Sequence, residues 1–377
     1  MLKKNKIKKI QSDELLWPLN LSKKIYNGFS SNELEYISDE NLIDKNKNLP
    51  KKNVATMYWP VELYSFGRCY REWLNLPYWF PFPLYGDHGI TNSGLFQDHE
   101  KNSKPKSFLT WNTYRVKELR RNSKKEILQI PHPWIIFRRS NRIKKKKDSR
   151  GTIIFLFHSD AGHQFKKFNY KKYFDELKRL PKKYHPLVIC VHNHDIKNKR
   201  YLEIRKYGLP IISAGETRSP YFVERYYSII SRFSYGTSIL GGSELYYCEE
   251  LGLKFFIKGE NFLSIKKDNH GLHKLVDPIM LNDKTYRGVT LKHLELFRQF
   301  PPKKSIFKKN FIDKILSLNI NVNRSKKKLS KYLYIELIRH IHLLPFNILK
   351  TFIKRNQNLI FIKILLLLRK KLISYCH

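Results

Sequence analysis

Residues 235–257 read YGTSILGGSELYYCEELGLKFFI. The order of residue types decides the fold class: a small-residue loop, a short helix, a glycine stop, then an apolar strand. Gly236, Thr237, Ser238, Gly241, Gly242 and Ser243 fall in the loop. Such a loop leaves backbone N–H groups free at a helix start, where the dipole is positive and an anion is favoured. Glycine lets a ligand approach the backbone closely, and Ser or Thr adds a hydroxyl. Gly252 suits the left-handed position past a helix end. An anion seat in α/β context points toward a nucleotide or sugar-phosphate ligand. The plainer alternative is an ordinary loop capped by Ser243.

Outward from this stretch the pattern alternates. Apolar runs at Thr152–Phe157, Leu187–Val191, Pro210–Ser213 and Phe233–Tyr235 read as strands, with Phe255–Ile257 closing the set. Helical spacing over Tyr170–Leu180, Lys199–Tyr207 and Pro220–Ser231 separates them. Runs this short and this apolar fit strands covered on both faces, so a parallel sheet with helices outside is expected. A second set lies upstream: helix over Glu62–Leu74, strand at Leu84–Tyr85, strand at Ser107–Trp111, helix over Thr113–Arg121 and strand at Glu126–Ile130. Between the sets, IPHPW (130–134) and a basic run to Arg150 read as a boundary and linker.

In an open parallel sheet, ligands bind beyond the carboxyl ends of the strands. The loops there read HSDAGH (158–163), HNHD (192–195), AGETRS (214–219) and GTSILGGS (236–243). His158, Ser159, His163, His192 and Arg218 are therefore candidates to line a ligand site. The HNHD stretch also invites a metal reading, but its Asp195 directly follows His194, one residue short of the usual HxHxD spacing. No metal is expected. In the first set, Asp87, His88 and Gly89 follow a short strand. Histidine titrates near neutrality and can take a proton from an attacking hydroxyl; Asp87 serves either as base or as the group that orients the ring. A turn using Asp and Gly is the alternative. Arg68 and Arg71 fit bidentate phosphate contacts or a solvated helix face. Glu244 and Glu249/Glu250 fit contacts to sugar hydroxyls or plain helix surface.

The formal charge of +41 raises a nucleic-acid partner. Lysine is abundant everywhere, however, and no RNP-like strand or Cys/His finger accompanies it, so no specific nucleic-acid partner is expected. With 41% hydrophobic residues, global disorder is excluded. Four scattered cysteines (Cys69, Cys190, Cys248, Cys376) without CxxC spacing fit reduced thiols in a cytoplasm. The basic start MLKKNKIKKI lacks a following apolar region, so no signal peptide is read there. Near the other end, LIFIKILLLL (359–368), followed by Arg369, Lys370 and Lys371, is too short to span a bilayer. It suits docking on an anionic membrane face; packing on the protein's own body is the alternative.

FLFHSDAGHQF (155–165), PLVICVHNHD (186–195), ISAGETRSPYFVERYYSIISRFSYGTS (212–238) and GGSELYYCEELGLKFFIKGE (241–260) resemble bacterial GT-B glycosyltransferases of surface polysaccharide (capsule or O-antigen) synthesis. YGDHGI (85–90), FLTWN (108–112) and IPHPW (130–134) extend the resemblance over about residues 55–260. The step His88–Gly89 is also similar to one in CDP-glycerol glycerophosphotransferases, where that histidine is thought to be catalytic. The E-x7-E motif of common retaining GT-B families is absent.

The resemblance implies two Rossmann-like domains with parallel sheets facing across a cleft, a nucleotide-sugar as substrate and no cofactor or essential metal. The expected division is a polar segment at 1–50, an acceptor domain at 51–135, a basic linker at 136–150, a donor domain at 151–325 and a basic amphipathic helical tail at 326–377. The expected enzyme sits peripherally on the inner face of the membrane. It moves a sugar to a glycan or lipid-linked acceptor, with His88 or Asp87 as base and with Thr237, Ser238, Gly242, Ser243 and Glu244 at the donor. A CDP-polyol phosphotransferase and a non-catalytic nucleic-acid-binding protein are the alternatives.

Overall fold

The computed structural model describes residues 57–77, 80–90, 95–156, 169–239, 241–259, 294–343 and 345. They form an α/β molecule built on two separate, wholly parallel sheets. The first lobe opens with a 3-10 turn, Pro60–Ser65, and α1 (Phe66–Leu74). It continues through β1 (Tyr85–Gly86), α2 (Asp98–Lys101), β2 (Ser107–Thr110), α3 (Thr113–Asn122) and β3 (Glu126–Gln129). Its sheet has the order β1-β2-β3. Every residue of β2 is buried, as expected of a strand covered on both faces. Phe108 and Ile127 pack with Tyr85, Val116 and Leu119 on one face. Leu109 and Leu128 join the main core on the other. Asn112 starts α3 by accepting the Tyr114 N–H at 3.0 Å, the usual side-chain answer to an unpaired helix-start amide.

IPHPW leads into a helix. Pro133 opens α4 (Pro133–Ser140), with His132 as its cap; proline at the first helical position sacrifices no hydrogen bond. The second lobe runs through β4 (Thr152–Phe155), α5 (Tyr170–Lys178), β5 (Leu187–Cys190), α6 (Asn193–Lys197), α7 (Tyr201–Arg205), β6 (Ile211–Ile212), α8 (Phe222–Ile230), β7 (Tyr235–Ser238), α9 (Ser243–Leu251) and β8 (Lys254–Ile257). Its sheet has the order β6-β5-β4-β7-β8. The winding direction reverses between β4 and β7, which makes their carboxyl ends a topological switch point.

One expectation shifts here. The strand placed at Phe233–Tyr235 is instead Tyr235–Ser238, so Gly236, Thr237 and Ser238 lie in the sheet and not in the loop. The small residues serve packing. A Cβ on Gly236 would stand 2.7 Å from Phe255 Cδ2 and 3.3 Å from Cys248 Sγ. The bend proper begins after Ser238. The glycine stop behaves as read: Gly252 adopts φ 100° after α9.

The last described helices, α10 (Ile306–Ile315) and α11 (Val322–His340), return to the first lobe. The His132 N–H donates to Leu316 O at 3.1 Å, and Ser107 Oγ donates to Glu336 of α11 at 2.8 Å. Lys326–Lys328 sit within α11. No described helix is long and apolar enough to cross a membrane. The polar segment 1–50 and the apolar stretch 359–368 lie outside the described residues. Cys69, Cys190 and Cys248 are free and buried, and burial pushes the Cys190 thiol up to about 12.

Candidate functional site

The carboxyl ends of the two sheets meet. Beyond β1 the chain runs through Asp87, His88 and Gly89 to Ile90, whose N–H donates to Ser243 Oγ at 2.9 Å. Ser243 is the first residue of α9, just past the bend that follows β7. The loop carrying His88 thus faces the switch point of the other lobe. Two further contacts join the lobes. His132 Nδ1 accepts the Trp134 N–H at 3.2 Å, so Nε2 carries the proton and donates to the Tyr247 hydroxyl at 3.0 Å. Burial holds this imidazole well below its ordinary value. The Tyr64 N–H donates to Thr217 O at 2.7 Å, beside a 3.3 Å contact from His192 Nε2 to the Tyr64 hydroxyl.

The bend has a tight internal network. Ser238 Oγ accepts the Gly241 N–H at 2.9 Å. The Gly242 N–H donates to Glu244 Oε1 at 2.7 Å. Burial raises the Glu244 carboxyl above its usual range, opposed by amide and Ser238 hydroxyl hydrogen bonds. A side-chain carboxylate therefore rests where an external anion would bind the Gly242 amide. Gly242 itself is exposed, and Ser243 and Glu244 are half-buried. Thr237 and Ser238, by contrast, are buried in β7.

His88 is half-buried and stands among rings. Its centroid lies 5.1 Å from Trp59 and 5.6 Å from His99. Asp87 turns the other way. It is fully buried and ion-paired to Arg115, which also holds Glu100 at 2.5 Å. This knot anchors the root of the His88 loop. Two carboxylates around one buried guanidinium are tolerated because each keeps its partner.

The other candidates are spread along the second sheet. His192 caps α6, accepting the His194 N–H on Nδ1 at 3.2 Å, and its Nε2 points to Tyr64. It follows β5, two strands from β7. Arg218 is exposed beyond the edge strand β6, three strand spacings or about 14 Å from β7. His158, Ser159 and His163 lie outside the described residues. Asp195 of the HNHD stretch is buried and pairs with Arg200 at 3.0 Å. Among the described residues no group of three His, Cys, Asp or Glu side chains is arranged to hold a metal.

Arg68 and Arg71 are neither phosphate ligands nor a solvated face. Arg68 pairs with Glu72 at 2.7 Å and with Glu224, and Arg71 pairs with Glu62 at 2.5 Å. Glu249 and Glu250 sit at the far end of α9. Glu250 binds Arg138 at 2.6 Å, and Glu249 accepts the Phe255 N–H at 2.7 Å.

Sequence reading missed Trp59, Tyr64, His99 and His132. Only the last carried a local sign, the proline on each side that fixes His132 before a helix start. The other three take their place from long-range packing, which leaves no short motif.

No protein-family model and no curated protein matches this chain. Among solved structures it is similar to that of the wall teichoic acid polymerase TagF, with 12% identity and a TM-score of 0.36, over 67% of this chain and 68% of that one.

Proposed function

We propose that the chain is a metal-independent transferase of surface-glycan synthesis that takes its group from a nucleotide-activated donor. The observation that carries this reading is the Ile90–Ser243 contact. It sets a half-buried histidine beside the switch point of a doubly wound sheet, where such folds receive nucleotides. In this reading the donor phosphate occupies the Gly242 amide and the Ser243 hydroxyl, and displaces the Glu244 carboxylate. His88 removes the proton of the acceptor hydroxyl while the departing phosphate is stabilised by the α9 N-terminus. Asp87 supports the loop and is not the base, because Arg115 holds it. The donor extends along the carboxyl ends of β5 and β6 toward His192 and Arg218.

The moved group is a sugar or, on the similarity of the His88–Gly89 step, a polyol phosphate from a CDP donor. The acceptor is a glycan or a lipid-linked glycan. The basic surface keeps the enzyme at an anionic membrane face. The test is a thermal-shift titration with UDP, GDP, CDP and CMP, since a ligand that favours the native state raises its melting point. One of them is expected to stabilise the protein selectively, with UDP or GDP favouring a sugar donor and CDP or CMP a polyol phosphate. His88→Ala is expected to keep that shift and to lose about 10²–10⁴-fold in transfer. Absence of any shift, or full activity in the variant, overturns the reading.

A further inference from the structure

Trp59 is an exposed aromatic ring beside the candidate base. It is 43% exposed, in a chain whose other tryptophans with described burial are half-buried or buried. Single exposed apolar side chains are ordinary, but this one is held in place. Its ring packs against His99, whose Nδ1 meets the Tyr85 hydroxyl at 2.9 Å. His99 Nε2 is fixed in turn by Gln97 Oε1 at 2.7 Å. The Trp59 carbonyl accepts the Glu62 N–H at 3.2 Å, and Glu62 is locked to buried Arg71. The backbone is tied to the fold, and the ring rests against His88 at 5.1 Å and His99 at 5.4 Å while staying open to solvent.

We infer that Trp59 is the stacking platform for the acceptor glycan. A sugar ring presents a face of C–H groups that packs flat on an indole, while its hydroxyls stay at the rim, where polar groups meet them. A platform fixed before binding loses little freedom when the ligand arrives. Its place in the first lobe, on the His88 side of the Ile90–Ser243 contact, separates it from the bend where the donor phosphate would sit. The inference rests on the transferase reading only in calling the bound glycan an acceptor.

The experiment is binding of the full-length protein to an array of immobilised bacterial surface oligosaccharides of one to four rings, with Trp59→Ala and Trp59→Phe alongside. The wild type is expected to bind a subset of the glycans. Trp59→Ala is expected to weaken that binding about tenfold or more, while Trp59→Phe, which keeps a flat ring, stays within about threefold. Melting points and nucleotide shifts of both variants are expected to match the wild type. No glycan bound by the wild type, or equal binding by Trp59→Ala, overturns the platform. So does loss of the nucleotide shift in Trp59→Ala, because the ring would then serve the donor. A wild type that binds glycans through Trp59 but answers to no nucleotide would refute the transferase reading and leave the platform standing.

Discussion

One pair of carboxylates in each lobe is held in a way opposite to the other. In the first, Asp87 and Glu100 share the guanidinium of Arg115, and all three are shut away from water. In the second, Glu249 on α9 is held by the Phe255 amide, and Glu244 by the Gly242 amide with the Ser238 hydroxyl, with no arginine on either. An arginine clamp keeps a carboxylate ionised and fixes the loop that carries it. A neutral donor is a weaker partner, so burial raises the Glu244 and Glu249 carboxyls, Glu249 up to about 7. The first arrangement suits a scaffold under a fixed base. The second suits a seat that a stronger anion can take over.

The sharpest way to break the contrast is Arg115→Ala. It leaves Asp87 and Glu100 buried without their cation, and is expected to destabilise the protein by about 3–5 kcal/mol in denaturant unfolding. A loss under about 1 kcal/mol would mean that water already reaches the knot. Glu249→Gln tests the amide-held side. Its folded value stands above the unfolded one, so between the ordinary carboxylate range and about 7 the folded state binds more protons. Stability from this group is then present at low pH and falls as pH rises through 7. The variant, which keeps an acceptor for the Phe255 N–H, is expected to match the wild type near pH 4.5. At pH 8 it should exceed it by at most about 3 kcal/mol. A constant difference across that window would place the titration elsewhere. The smallest expected effect is that of Glu244→Gln. Removing the charge on the Gly242 amide should tighten nucleotide diphosphate binding by roughly 1 kcal/mol, about fivefold. Weaker binding would make Glu244 a direct ligand of the donor, contacting its hydroxyls.

The strands were legible in the sequence because both faces of each are covered. Ile153, Ile154, Val188 and Ile189 are all buried, so the apolar runs could not be mistaken for exposed turns. The helix start at Thr113 has the usual signal, the capping Asn112 before it; that at Ser243 does not, since Gly242 precedes it without a side-chain cap. The expected α/β architecture of two parallel sheets is the one the chain adopts. What failed was the distinction between small residues that admit a ligand and small residues that admit a neighbouring element. Gly236 and Thr237 look like loop and are strand. Similarly, Arg68 and Arg71 look solvent-facing in a one-dimensional pattern. Their partners Glu62 and Glu72 lie close in sequence, but Glu224 lies far away on α8 and pairs with Arg68 alone. The neighbourhood of His88 was legible for its histidine alone, since the rings around it arrive from separate segments.

The absent side chain at Gly236 has a consequence beyond its own strand. Phe255 of β8 closes over it at a distance no methyl would permit, and Cys248 of α9 at one that a methyl would push back by a few tenths of an ångström, so it sets the depth at which α9 is seated on the sheet. Alanine there would lift the helix like a shim under a beam. The displacement would emerge at the opposite end, where Ser243 meets Ile90. The gap between the lobes is therefore gauged at its floor, by one missing carbon.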